Sequence, residues 1–353
     1  MKKKILFICG SNNQTTQMHQ IASHLMHEFN CFFSPYYASG HVEWMRRAGL
    51  TEMTIMGQRY IEQCMQYFKL HGLQIDFRGV NHSYDLVLTC ADLVVPKNIR
   101  STKIILVQEG MTDPENWAYR MVKLRLMPRW SASTSTMGLS DAYVKFCVAS
   151  EGYKDLFIRK GVKPEKIVVT GIPNFDHCKK YFQNSFPHKN FVLVCTSDSR
   201  ETVKMENRKR IILDAKTIAN GRLLIFKLHP NENISRATAE INRYAPDALV
   251  FSHGSAEEMI ANCDVLITQF SSTVYVGIAL GKEVYSNFPI DELKRLTPLQ
   301  NNSAAKNIAD LCRIVIEKSH SNILPFRQKM QPLKRIFQNK YKRKLFQLFS
   351  KAS

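Results

Sequence analysis

The sequence predicts an α/β protein built as two doubly wound domains in series, facing a cleft. Three observations carry this. Short apolar runs rich in Val, Ile and Leu recur along the chain and are too short to be helices. Segments of helical period separate them. The alternation runs twice, interrupted by the polar, irregular stretch "HCKKYFQNSFPHKN" (177–190). Strands that alternate with helices form parallel sheets covered on both faces.

In the first alternation, "KKILFICG" (3–10) reads as a strand. "TTQMHQIASHLMHEF" (15–29) reads as an amphipathic helix with Met18, Ile21, Ala22, Leu25 and Phe29 on one side. "CFFSPYYA" (31–38) is a strand broken by Pro35, and residues 41–72 are helical in pattern. "DLVLTC" (85–90), "KIILVQEG" (103–110) and "YVKFCVAS" (143–150) are further strands. Residues 151–176 hold a helix, a Gly-Val-Lys-Pro turn, a strand at 167–170 and a loop through Gly171 and Pro173. The second alternation contains the strands "FVLVCTSDSR" (191–200), "RLLIFKLHP" (222–230), "DALVFS" (247–252), "DVLITQFSS" (264–272) and "KEVYS" (282–286). Helices are expected near 201–219, 234–243, 255–263 and 273–281. Ser255 followed by Glu258 has the spacing of a capping box. The expected organisation is therefore a first domain over 1–176, a linker over 177–190, a second domain over 191–320 and a tail over 321–353.

Composition narrows the function classes. At 353 residues and 44% hydrophobic content, two buried cores are within reach. No apolar run approaches the ~20 residues that span a bilayer. The lysines and apolar residues 5–9 at the N-terminus are too short for a signal sequence and end in Gly-Ser-Asn-Asn, so a first strand and a cytoplasmic location are expected. Nine scattered cysteines without a CxxC pair fit reduced thiols in apolar cores. The net charge of +19 suits nucleic acid, an anionic membrane or phosphorylated small molecules. No nucleic-acid reading motif is found, and nucleic acid is not expected as a partner. Residues 325–353 carry many bases and no acid, with Leu333, Ile336, Phe337, Leu345, Phe346, Leu348 and Phe349 at roughly helical spacing. That is the pattern of a basic amphipathic helix lying on an anionic bilayer, or packed on the body with a solvated face. A peripheral position at the inner face of the cell membrane follows from the first alternative.

Ligands of doubly wound sheets sit beyond the carboxyl ends of the strands. In "FKLHPNENIS" (226–235), Pro230 stops a strand so that His229 can face a cleft; Glu232 follows in the same loop. Ser271, Ser272 and Thr273 end another strand and open a helix, where hydroxyls and backbone N–H groups suit a phosphate, or simply cap the helix. Ser197, Ser199 and Arg200 project from a third strand end. In the first domain, Glu109 and Asp113 in "VQEGMTDPEN" (107–116) stand where a cleft base would stand, flanked by Gln108 and Gly110. Gly10, Ser11 and Asn12 follow the first strand but lack GxGxxG, and GxxxxGK[ST] is absent.

These segments resemble GT-B-type glycosyltransferases and the related nonhydrolysing UDP-N-acetylglucosamine 2-epimerases. "VQEG" is similar to the epimerase Val-Glu-Ala-Gly loop, "KLHPNEN" to its His-Pro-Asn, and "TGIPNFD" to its Thr-Gly-Asn-x-x-x-Asp loop. "DVLITQFSSTVYVGIALGKEV" is similar to its Ser-Gly-Gly phosphate segment and the Leu-Gly-Lys-Pro-Val that follows. The adjacent glutamates of the epimerases are replaced by Tyr275 and Val276, and Ser-Gly-Gly by Phe270, Ser271 and Ser272. His-Pro followed by Ser-Ser also resembles sialyl- and Kdo-type transferases and CDP-glycerol-type transferases. In the sialyltransferase pattern the base is the first acid of an acid-acid-Gly loop; here that place is Gln108, leaving Glu109 first and Asp113 second.

The resemblance implies two Rossmann-like domains of the GT-B fold, acceptor on the N-terminal side and nucleotide donor on the C-terminal side. The expectation is a metal-independent, inverting glycosyltransferase that needs no cofactor. It moves a sugar from a UDP-, CMP- or CDP-linked donor to a cell-envelope glycan or lipid-linked acceptor. The alternatives are a 2-epimerase-like isomerase, a CDP-glycerol glycerophosphotransferase and a non-catalytic nucleotide-sugar binding module.

Overall fold

The computed structural model describes residues 2–317, apart from 53, 198, 199, 201–205 and 270. The expected tail helix within 325–353, Phe270 and Ser199 lie outside the described residues. Two parallel sheets form the body. The first contains β1 (Lys4–Cys9), β2 (Asn30–Pro35), β3 (Leu86–Thr89), β4 (Ile104–Val107), β5 (Lys145–Val148) and β6 (Ile167–Val169), in the order β2-β1-β3-β4-β5-β6. The second contains β7 (Val192–Cys195), β8 (Leu224–Lys227), β9 (Leu249–Phe251), β10 (Val265–Thr268) and β11 (Glu283–Tyr285), in the order β11-β10-β7-β8-β9. Every pairing is parallel.

The apolar runs are continuous because both faces of each sheet are buried. Residue parity divides each strand between two cores. On β1, Leu6 and Ile8 enter one cluster while Ile5, Phe7 and Cys9 enter another. On β7, Leu193 and Cys195 turn one way and Val192 and Val194 the other. The cluster holding Leu6 and Ile8 also holds Leu193, Ile225, Leu266 and Val274, so one apolar core runs unbroken between the sheets. All nine cysteines are buried and unpaired.

The helical pattern over 41–72 resolves into two helices, His41–Arg47 and Gln58–Leu70, separated by a non-helical stretch. Only half of the capping box at Ser255 forms: its hydroxyl accepts from the Glu258 N–H at 3.2 Å but donates to Glu257 at 2.9 Å. Among the described residues, no helix is long and apolar enough to cross a membrane.

A seam locks the sheets together. Gly152, in the helix Glu151–Lys160, lies so close to the Arg295 carbonyl that a Cβ there would overlap it. The Ser150 hydroxyl donates to the Leu296 carbonyl at 3.1 Å, and the buried Tyr153 and Tyr275 hydroxyls share a hydrogen bond of 2.6 Å. Burial pushes the Tyr153 hydroxyl up to about 12 and the Tyr275 hydroxyl higher still.

The last described helix, Ala304–Glu317, returns to the first sheet although the sequence division groups it with the second alternation. Its Ile308, Cys312, Val315 and Ile316 enter the core that holds Ile5 and Phe7. Amphipathic spacing reveals that a helix has an apolar face, not which sheet covers it. The returning chain is clamped by Asp176, whose buried carboxylate accepts from the N–H groups of Asn301 (3.0 Å), Asn302 (2.9 Å) and Ala304 (2.6 Å). Asp176→Ala leaves three N–H groups without this acceptor and is expected to cost roughly 2–4 kcal/mol. Urea unfolding checks this; a loss below 0.5 kcal/mol, the ordinary range for surface changes, would show that the clamp is not needed.

Candidate active site

Strand order reverses beside β1 in the first sheet and beside β7 in the second, which opens a crevice at each set of carboxyl ends. The first crevice is a cavity of about 660 Å³, walled by residues that follow β1, β2, β3 and β4. Glu109 stands in it, two residues beyond β4. Its carboxylate is fixed from two sides: the Ser11 hydroxyl donates to Oε1 and the Gln14 amide to Oε2, each at 2.6 Å. Ser11 also caps the helix Asn12–Ser23, accepting from the Gln14 N–H at 3.2 Å. Gly10 is needed for this arrangement, because the Gln14 side chain lies where a Cβ of residue 10 would be.

The second crevice contains His229, one residue beyond the Leu228 that follows β8. The Asn231 N–H donates to His229 Nδ1 at 3.2 Å, which puts the proton of the neutral ring on Nε2. His229 lines a cavity of about 230 Å³ with Ser271, Ser272 and, from the first domain, Asp113. Ser272 lines the larger cavity as well, and a Cβ on Gly110 would lie 3.5 Å from that of Ser272. The acid side and the hydroxyl–imidazole side thus meet at Ser272. Asp113 is steered by Thr134, which accepts from its N–H and donates to its carboxylate, both at 2.8 Å.

Several expected site residues have other partners. Gln108 is fully buried; its amide donates to the Gly110 carbonyl at 2.8 Å and accepts from the Ala149 N–H at 2.9 Å. It ties the end of β4 to the end of β5 and does not face the cleft. Glu232 is also turned inward. Its carboxylate accepts from the His229 N–H (3.0 Å), from the Thr196 hydroxyl and from Arg208 (2.6 Å), so it shapes the loop that carries His229. Arg200 grips Glu240 with bonds of 2.9 and 2.8 Å. The Ser197 hydroxyl donates to Glu206 at 3.0 Å. Pro230 is exposed beside His229, and Asn12 is exposed on the first turn of its helix. Thr273 turns its hydroxyl onto Ser271 at 2.9 Å, and its N–H also points to Ser271 at 3.3 Å, so this amide is engaged within the turn. Gly171 and the buried Pro173 sit away from both cavities: Gly171 (φ 77°) packs on Ala304 of the returning helix.

Sequence reasoning missed Gln14, Thr134 and the tyrosine pair. Gln14 had a signal in its place one turn into the helix behind Ser11. Tyr275 and Val276 are buried, the former at the seam, so the positions matching the epimerase glutamates present no carboxylate to a ribose. Among the described residues, no group of three or more His, Cys, Asp or Glu side chains is gathered to hold a metal ion.

No family model matches the chain, and no curated protein sequence matches it. Solved structures do. UDP-GlcNAc 2-epimerase from Neisseria meningitidis, bound to UDP-GlcNAc, aligns over 88% of this chain and 100% of its own, at a TM-score of 0.54 and 12% identity. The S. aureus MnaA–UDP structure aligns over 90% and 88%, at 0.52 and 15%. Anabaena HepE in complex with UDP aligns over 89% and 91%, at 0.50 and 14%. The fold is GT-B.

Gln108→Glu would place a second acid at the strand end. An ionised carboxylate cannot donate to the Gly110 carbonyl, so the change is expected to lower stability by roughly 1–3 kcal/mol without adding activity. Thermal unfolding of the variant reads this; unchanged stability with raised activity would move the base to position 108.

Proposed function

We propose that the chain is a glycosyltransferase that moves a sugar from a nucleotide donor to an acceptor hydroxyl with inversion, without a metal. One observation carries the reading. The oriented carboxylate of Glu109 and the His229–Ser271–Ser272 set lie in two adjoining cavities that share Ser272. A displacement at a sugar carbon needs a base on one side and a stabiliser of the leaving phosphate on the other.

In this reading Glu109 takes the proton from the acceptor hydroxyl as its oxygen attacks the anomeric carbon. The bond from that carbon to the phosphate oxygen breaks, and its electron pair leaves on the nucleotide. His229 donates from Nε2, and the Ser271 and Ser272 hydroxyls donate beside it, where this negative charge develops. Ser11 and Gln14 keep the Glu109 oxygens aimed, and Glu232 keeps the His229 loop in place. Asp113 is the second candidate for the base, since it borders the phosphate-side cavity. Two of the structural neighbours hold UDP and one holds UDP-GlcNAc, so a UDP-sugar is the first donor to test. CMP- and CDP-linked donors come next. The acceptor is a glycan or lipid-linked molecule, and the reaction runs at the cytoplasmic face of the membrane.

Glu109→Gln keeps the shape of the side chain and removes the base. Turnover is expected to fall by about 10²–10⁴-fold, with nucleotide affinity unchanged. Wild-type turnover in this variant would exclude Glu109 as base and leave Asp113. Conversion of the donor sugar with no acceptor present would instead make the protein an isomerase.

A further inference from the structure

The wall of the larger cavity continues outward into an unusual surface. Six large apolar side chains, Trp44, Leu50, Trp117, Leu124, Leu126 and Trp130, are between 43% and 69% exposed. They come from two segments, 44–50 and 117–130. Leu50 and Trp130 both line the cavity that contains Glu109, so each segment borders it. Isolated exposed apolar residues are ordinary; several exposed tryptophan and leucine side chains on two segments that border one cavity mark an interaction surface.

The local structure holds these side chains outward. The helix Trp117–Lys123 buries Ala118, Tyr119 and Val122 against Ala132, leaving Trp117 and Arg120 on its outer side. It ends with Arg125 at φ 60°, with bonds from the Arg125 N–H to the Val122 carbonyl (2.9 Å) and from the Leu126 N–H to the Met121 carbonyl (3.0 Å). In such a terminus the apolar residue after the left-handed position usually folds back on the helix. Here Leu126 stays exposed.

Charge identifies the occupant. Residues 117–130 carry Arg120, Lys123, Arg125 and Arg129 and no acid. Arg129 reaches Asp92 at 3.4 Å, but Arg120 and Arg125 have no acidic partner among the described residues. Outward tryptophan and leucine interleaved with unpaired arginine match an anionic bilayer, where indole rings settle at the headgroup level and bases meet lipid phosphates.

We propose that the surface formed by residues 44–50 and 117–130 docks on an anionic phospholipid bilayer and draws the acceptor from it. The acceptor is then lipid-linked: its apolar part stays in the bilayer or the apolar cavity mouth, and its hydroxyl reaches Glu109. The acceptor half of this inference rests on the proposed transferase reading; the docking half does not.

The test uses an accident of composition. The chain has three tryptophans, and all are in this surface. Their emission therefore reports this face and not the basic tail. The full chain is mixed with phosphatidylglycerol–phosphatidylcholine vesicles, with and without bromine-labelled acyl chains, with no donor or acceptor present. The expected result is a blue shift of emission and quenching by the bromine. Replacing Arg120 and Arg125 together by serine, and leaving Lys123 on the Lys160 carbonyl, is expected to lower partition about thirtyfold, from roughly 1 kcal/mol per base. Vesicle binding with unshifted, unquenched tryptophan would overturn the proposal and place the contact elsewhere in the chain. So would a blue shift that grows with protein concentration without vesicles, which would make a second copy the occupant. Docking without transfer would fault the enzyme reading alone; transfer to a water-soluble acceptor without docking would fault this one alone.

Discussion

The two crevices adjoin only because a buried seam fixes one sheet against the other. Gly152 permits the helix of the first domain to touch the Arg295 backbone, and the buried Tyr153 and Tyr275 hydroxyls bond to each other across the contact. The apolar core that runs between the sheets adds the bulk of the holding force. A side chain at residue 152 would push the seam apart, and Glu109 and His229 would lose their common neighbour Ser272.

Within that frame, Glu109 and His229, the candidate reactive groups, each have an inward-facing polar residue close by in sequence. Gln108 secures the turn from which Glu109 projects. Glu232 gathers Thr196, the His229 N–H and Arg208, and so sets the loop that carries the imidazole. Buried polar groups are costly unless matched, so such residues specify one loop conformation when every bond is made. In these two pairs the holding residue and the candidate reactive one lie one and three positions apart, whereas Ser11 and Gln14 reach Glu109 from a distant part of the chain.

That closeness explains what could be read in the sequence. The two parallel sheets were legible because strands buried on both faces give continuous apolar runs, and the GT-B fold only through the resemblance carried by the strand-end motifs. Glu109, His229, Ser271 and Ser272 were legible as strand-end residues. Gln108 and Glu232 were not separable from them, since adjacent residues beyond a strand point to opposite sides and one sequence does not say which side is the cleft. Arg200 looked like a phosphate ligand until its partner Glu240, on the helix Ile234–Tyr244, came into view. The break near residues 48–57 was hidden by apolar spacing that continues through it. The surface around Trp117 went unnoticed because aromatic residues in a helical pattern usually face a core.

The central claim is that His229 and the serines beside it hold a nucleotide phosphate. Thermal unfolding of the wild type and of His229→Ala with UDP, CMP, CDP and GDP tests it most directly. A ligand that binds only the folded state stabilises it by about 2.7 kcal/mol at a hundredfold excess over its Kd. The account predicts that one of these nucleotides raises the Tm of the wild type and that His229→Ala loses most of the rise. A full rise retained in the variant, or none with any nucleotide in the wild type, would contradict it.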